Sequence, residues 1–224
     1  MNYQWDFAVI LRSNGMLIGG LLGTLDLTIM TVVIAAPLGF LLSLVLLSRH
    51  RTPRFIARCF VDFFRTSALL VLIIWFYFAF PIVTGLRVNS FQAAALALGL
   101  QNAAYLAEVF RAGISSVAQG QWEAAKALGL HRVHVFCLVI APQALRSFAP
   151  VLFNVLTEII KGTALAAAIA YGELSFEASR IASSTYRPLE TYTIVAAIYF
   201  ALIFLLSQVF RRIEMRMAVG GAVR

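Results

Sequence analysis

The run from residue 17 to 47 is mainly apolar and longer than a membrane crossing needs. A helix covers a bilayer core of about 30 Å with roughly 20 such residues. Pro37 interrupts the run, and Gly19, Gly20 and Gly23 open it, so it should tilt, kink near the proline or protrude. The three glycines read as sites of close helix packing. Three further runs, at 67–83, 91–110 and 192–210, have the length and character of spans. The whole chain of 224 residues is 61% hydrophobic and 12% charged, where a soluble domain is nearer about 45–50% and 25%. That surplus of apolar surface cannot be hidden inside one domain of this size, and it is far too high for a disordered chain. An all-α integral membrane protein remains.

Between these runs the pattern changes. In 54–65, Arg58, Asp62 and Arg65 alternate with Phe55, Ile56, Phe60 and Phe63, an amphipathic stretch suited to the interface. Trp75, Phe76, Tyr77, Phe78 and Phe80 read as an aromatic belt near the outer face. The segment 135–171 is too long for one simple span and too short for two. Pro142, Pro150 and Gly162 break it, and Arg146, Glu158 and Lys161 lie within it.

Charge bias resolves the topology. With the N-terminus outside and five crossings, the inner segments hold Arg49, Arg51, Arg54, Arg58, Arg111, Lys126, Arg132, Arg211, Arg212, Arg216 and Arg224. The outer segments hold Arg12, Arg87, Arg180 and Arg187. Such an inner excess is the positive-inside signature. It requires a crossing at about 145–165, with 135–144 at the cytoplasmic face and 166–184 as an outer interfacial segment. The expected organisation is an outer segment 1–16, a transmembrane domain 17–212 with a cytoplasmic loop at 111–144, and a cytoplasmic tail 213–224.

Several function classes drop out. A net charge of +8 would point to nucleic acid on a soluble chain. Here the basic residues flank apolar runs, where they meet anionic lipid heads instead. Residues 1–15 have no basic region before their apolar residues and carry Asp6 and Arg12, unlike a cleaved signal peptide. Cys59 and Cys137 lie on the expected cytoplasmic side and indicate neither a disulfide nor a metal site. His131 and His134 lack a third ligand nearby, so no metal or other cofactor is expected. The three histidines all fall in loops, which argues against an enzyme working within the spans. The only lysines, Lys126 and Lys161, do not follow the glycine pattern of a phosphate-cradling loop. No ATP hydrolysis is expected from this chain.

The most informative stretch is the loop segment Gly120-Gln121-Trp122-Glu123-Ala124-Ala125-Lys126-Ala127-Leu128-Gly129-Leu130. Its centre is rich in helix formers, and Gly129 suits a turn with positive φ. A short helix closed by a sharp turn makes a rigid projection. Small Ala124 and Ala125 allow another surface to approach, Glu123 offers a charged contact or satisfies the helix dipole, and Pro142 interrupts the backbone beyond. Glu123-Ala124-Ala125, Gly129 after three intervening residues, then Val139, Ala141 and Pro142 resemble the EAA motif of binding-protein-dependent ABC transporter permeases. Ala141 stands where that family usually has Leu.

The polar amino acid subfamily is resembled further, at Thr24-Leu25-Asp26-Leu27-Thr28, at 104–113 and at Pro142-Gln143-Ala144-Leu145-Arg146. Entry to the second span departs from the family's Arg-Gly-Thr-Pro-Leu-Leu-Val-Gln, reading Arg65-Thr66-Ser67-Ala68-Leu69-Leu70-Val71-Leu72. Lys161-Gly162-Thr163-Ala164-Leu165 stands for the family's Lys-Asp-Thr-Ser-Leu. The resemblance implies the five-helix permease bundle of a type I ABC importer in the bacterial inner membrane. Its expected partners are a dimer of separate ATP-binding subunits, a second permease (a further copy or a sister chain), a periplasmic solute-binding protein and membrane lipids. Glu123, Ala124, Ala125, Gly129 and Pro142 would couple ATPase motion to the spans.

Two polar stripes are candidates for a solute pathway. Gln101, Tyr105 and Glu108 recur on one face of the third span, with Asn102 beside them; Asn154, Glu158 and Lys161 recur on the fourth, with Thr157 adjacent. Ionisable groups within a bilayer face a polar cavity or one another. Glu158 and Lys161 either form an intrahelical ion pair or contact solute. Gln101, Asn102 and Tyr105 either hydrogen-bond between helices or line a path. Glu108 lies near the cytoplasmic end, where Arg111 or Arg65 is its expected partner. The competing function is a self-sufficient secondary transporter or channel subunit, although no internal repeat of the kind carriers show is evident.

Overall fold

In the computed structural model, residues 5–219 are described, with side chains to residue 212. Residues 1–4 of the expected outer segment and 220–224 of the expected tail lie outside the described residues, as do the side chains of 213–219, including that of Arg216. The described residues are helical, without strands. In chain order they form α1 (Phe7–Leu11), α2 (Asn14–Leu46), α3 (Arg51–Thr66), α4 (Leu69–Ile74) and α5 (Phe80–Thr84), the last two joined by a π-helical turn at Trp75–Ala79. Then come α6 (Ser90–Ser115), α7 (Gln119–Ala127), α8 (Arg132–His134), a second π-helical turn at Val135–Ile140, and α9 (Ala141–Gly162). A 3₁₀ segment (Thr163–Ile169), α10 (Leu174–Thr185) and α11 (Pro188–Val219) complete the chain.

Local chemistry explains most boundaries. Asn89 caps α6 through the Gln92 N–H at 2.8 Å, and the Gln92 side chain accepts from the Asn89 N–H at 3.1 Å, a reciprocal capping box. Both π-helical turns stop just before a proline, Pro81 and Pro142. A proline lacks the N–H and crowds the carbonyl four residues back. Those carbonyls belong to Tyr77 and Leu138, inside the two wider turns, where the i→i+5 pattern accommodates the loss. Consequently Arg132–Ile169 runs as one helical rod of 38 residues. The crossing expected at 145–165 and the cytoplasmic stretch expected at 135–144 are parts of this single rod.

Helix α6 sits at the centre. Its most apolar stretch is 72% buried, against 6% for that of α11, which leaves α11 at the periphery. Ile34 of α2 lies beside Gly99, and Gly39 lies against Ala103 and Leu106; α2 and α6 therefore run parallel. The intervening chain must return across the bundle. It does so through α4 and α5, after a bend of 104° between Arg51–Thr66 and Leu69–Thr84. Gly162 of α9 approaches Leu98, while Phe148 lies at Gly113, so α9 is antiparallel to α6. The Phe153 and Phe210 rings lie 4.9 Å apart, tilted to each other, and Tyr199 reaches Glu173 at 3.0 Å, so α11 reverses again. Among the described residues, four helices are long and apolar enough to cross a membrane, five if the bent pair is one span.

Segment 166–184, expected at the outer interface, is tied into the bundle. Leu174, Ala178 and Ile181 of α10 are buried with Ile10, Leu17 and Val195. A Cβ on Gly20 would lie 2.9 Å from the Leu174 Cα, whereas one on Gly19 would meet nothing within 4 Å. Close packing thus holds for Gly20 and not for Gly19. The Glu173 carboxylate caps α10 by accepting from the Ser175 and Phe176 N–H groups at 2.8 and 2.7 Å. Burial raises its pKa above the ordinary carboxyl value, with these hydrogen bonds pulling the other way. The aromatic stretch divides: Phe76 joins the core, while Trp75 and Phe78 are exposed.

Candidate functional site

Halfway along α6, about 17 Å from its start by the helical rise of 1.5 Å per residue, polar side chains replace the alanines that pack elsewhere on this helix. Gln101 donates from Nε2 to the Ser67 carbonyl at 2.8 Å, an acceptor left open because α3 ends at Thr66. Tyr105 donates to the Arg65 carbonyl at 3.2 Å, and the Arg65 guanidinium lies 5.8 Å from the centre of the Tyr105 ring. Asn102 donates from Nδ2 to the Leu98 carbonyl at 2.8 Å. These bonds use the amide N–H groups of Gln101 and Asn102 and leave the amide oxygens uncommitted among the described residues.

Facing them, α9 presents Asn154, Glu158 and Lys161. The Lys161 ammonium is 3.0 Å from the Glu158 carboxylate, and both side chains remain open, 54% and 70% exposed. Between the two helices is a cavity of about 580 Å³, lined by Gln101, Asn102, Tyr105, Asn154, Glu158 and Lys161, with Leu69, Val155, Gly162 and Leu165 as its apolar walls. Six polar residues singled out from two separate stretches of sequence meet at one place. Thr157 does not line it; its hydroxyl donates to the Phe153 carbonyl at 3.0 Å. Glu108 lies outside the cavity as well, paired with Arg111 at 2.7 Å.

The apolar walls and the Ser67 carbonyl had no signature in the sequence. Gly162, which in sequence looks like a break, is a packing position: a Cβ there would come within 3.2 Å of Leu98 and 3.3 Å of Leu69. Leu69 itself depends on the bend after α3, which no single residue announces.

At the end of the bundle where α6 stops, α7 forms the projecting helix. Glu123 and Ala124 are exposed, and Ala125 is buried against Ile114, Val135, Ile140 and Ala144. Gln119 donates to Glu123 at 2.9 Å. The helix closes with the Gly129 N–H on the Lys126 carbonyl at 2.9 Å and the Leu130 N–H on the Ala125 carbonyl at 3.3 Å. Gly129 takes φ +75°, a Schellman closure that favours glycine. Leu128 at the tip is 80% exposed, a large apolar side chain with no signature in the sequence. Pro142 opens α9, and its neighbour Gln143 reaches Gln121 of α7 at 3.4 Å. Projection and long rod are therefore directly joined.

Comparison with known proteins adds independent findings. Residues 15–219 match the model of the family described as "Binding-protein-dependent transport system inner membrane component". The arginine transport system permease protein ArtQ of Bacillus subtilis (strain 168) is 31% identical over 212 residues, 95% of this chain and 97% of that protein. The octopine transport system permease protein OccM of Rhizobium meliloti is 35% identical over 206 residues, 88% and 84% of the two chains. Among solved structures, the crystal structure of an amino acid ABC transporter with histidines superposes with a TM-score of 0.88 at 33% identity, covering 96% of this chain and 100% of that one.

Proposed function

The chain belongs to the family of binding-protein-dependent transport system inner membrane components, and from that premise we propose that it carries polar amino acids through the cavity between α6 and α9, driven by strokes received at α7. It is a multi-pass permease subunit of an ATP-driven importer, working with a separate ATP-binding subunit and a solute-binding protein, and not a self-sufficient carrier. The remaining assignments belong to the proposal. The membrane is the bacterial inner membrane, with the start of α2 outside and α7 in the cytoplasm, as the distribution of basic residues favours. The permease pairs with a second copy or a sister permease, and the ATP-binding subunits work as a dimer.

One observation carries the solute assignment: Gln101, Asn102, Tyr105, Asn154, Glu158 and Lys161 converge on one cavity of about 580 Å³. An amino acid in solution is a zwitterion. Its ammonium matches Glu158 and the free amide oxygens of Gln101 and Asn102, and its carboxylate matches Lys161. The resident Glu158–Lys161 pair exchanges partners with the solute, so neither charge is left unpaired in the membrane. At the other end, Glu123, Ala124 and Gly129 form the face offered to the ATP-binding subunit. Ala125 anchors α7 to the bundle, and Pro142 marks where motion of α7 enters the 38-residue rod. Packed rods move as bodies, so displacing α7 tips the spans between inward-open and outward-open states.

The test separates contact with solute from mere helix support. With the permease, its ATP-binding subunit and the binding protein in vesicles, Glu158→Gln and Lys161→Met should each lower ATP-driven uptake at least about tenfold. The double exchange Glu158→Lys with Lys161→Glu restores an i, i+3 ion pair but reverses its direction. Uptake should stay lost in that variant. Full uptake with the reversed pair would make the two residues helix support and refute the solute assignment.

A further inference from the structure

A second hollow, of about 500 Å³, lies at the root of α7 and is lined by Arg49, Trp122, Lys126, Arg132 and Val135. Three cations border it and no carboxylate does. None of the three is ion-paired among the described residues. Like charges gathered without an acid repel one another, and an anion would relieve that repulsion.

Position identifies the anion. Arg49 follows the last residue of α2, Leu46, by three residues, and Arg132 opens the Arg132–Ile169 rod. Two helices long and apolar enough to cross a membrane thus end at this hollow. Phe40 of α2 and Phe136 of the rod lie 6.5 Å apart, so packing between the spans holds the two helix ends together. Trp122 is only partly buried, the setting in which an indole meets both acyl chain and headgroup. Two of the three cations come from span ends and not from α7, which favours a membrane ligand over an acidic patch on the ATP-binding subunit. Basic hollows between spans on the cytoplasmic side take anionic headgroups.

We propose that this hollow binds the phosphodiester of an anionic phospholipid. Because Trp122 and Lys126 belong to α7, a bound headgroup pins the projecting helix to the ends of two spans, and coupling then depends on lipid charge. The inference goes beyond the transport reading; it requires that α2 and the Arg132–Ile169 rod cross a membrane with α7 on the cytoplasmic side, and its consequence for coupling rests on the proposed role of α7.

The experiment uses the permease assembled with its ATP-binding subunit. Trp5→Phe and Trp75→Phe leave Trp122 as the permease's sole tryptophan, and Trp122 emission above that of a control assembly carrying Trp122→Phe is followed. Phosphatidylcholine vesicles contain brominated phosphatidylglycerol or brominated phosphatidylcholine at equal mole fraction. Stronger quenching by the anionic lipid is expected, with apparent affinity falling roughly fivefold for each of Arg49→Gln, Lys126→Gln and Arg132→Gln. Arg49→Lys should retain it. Equal quenching by the two lipids would overturn the proposal. Displacement of phosphatidylglycerol by millimolar inorganic phosphate would also overturn it, because the ligand would then be a soluble anion. Unchanged lipid quenching together with loss of the ATP-binding subunit from the glutamine variants would assign the cations to that subunit and refute the lipid site. This readout is independent of uptake, so failure of the solute assignment leaves it standing.

Discussion

Gly129 turns the backbone with φ +75° at the end of α7, and a Cβ there would meet nothing within 4 Å. Space is therefore not its constraint; conformation is. A β-branched residue in the left-handed region costs about 1–3 kcal/mol, enough to unwind the two closing hydrogen bonds of a nine-residue helix. Gly129→Val should abolish ATP-coupled uptake while leaving membrane insertion and the helical circular-dichroism signal unchanged. Normal coupled uptake would remove α7 from the coupling path. This residue could be recognised in advance because a glycine after a run of helix formers has a local cause. The same holds for the Glu108–Arg111 pair, whose i, i+3 spacing brings the groups together on any helix. Leu128 has no such local cause, because its exposure depends on where the helix points, which no local pattern encodes.

Among the elements, contact between α2 and α6 depends on glycine at chosen positions. A Cβ on Gly39 would stand 2.8 Å from the Leu106 Cβ and 2.9 Å from the Ala103 carbonyl oxygen. The obstacles are a helix backbone and the root of a side chain, neither of which yields cheaply. Gly39→Val should destabilise the permease by about 1–3 kcal/mol, lowering its melting temperature in detergent. Gly19→Val, made where nothing lies within 4 Å, should leave that temperature unchanged. Equal effects at the two sites would show that the α2–α6 contact does not support the bundle. Spans α2, α6 and α11 were readable because long apolar runs have one outcome in a membrane. The Arg132–Ile169 rod was not, since Pro142, Pro150 and Gly162 look like breaks. The structure absorbs them with a π-helical turn, a continuous helix and a 3₁₀ segment in turn.

For the whole molecule, helix direction constrains topology. Helices α2, α6 and α11 run one way, α9 and the short α4–α5 arm the other, so α1 and the end of α11 lie at opposite ends of the bundle. The side each end faces can be read by labelling. In a Cys59→Ser, Cys137→Ser background, Tyr186→Cys at the α10–α11 corner, a position 88% exposed, should react with an impermeant maleimide added to intact cells. Gly120→Cys on α7 should react only in inverted vesicles, and labelling of Gly120→Cys from outside would reverse the topology. Composition and apolar run length by themselves determined that this chain lives in a membrane as a helical bundle, because burying backbone and side chains in hydrocarbon has few solutions. The spacing around Glu123 and Gly129 likewise determined the projecting helix, a local structure. Only the tertiary structure decided that Gln101, Asn102 and Tyr105 share a cavity with Asn154, Glu158 and Lys161. That meeting depends on the 104° bend after α3 and the antiparallel seat of α9 on α6, and contacts between residues about fifty positions apart on separate helices arise from packing, which periodicity along one helix does not specify.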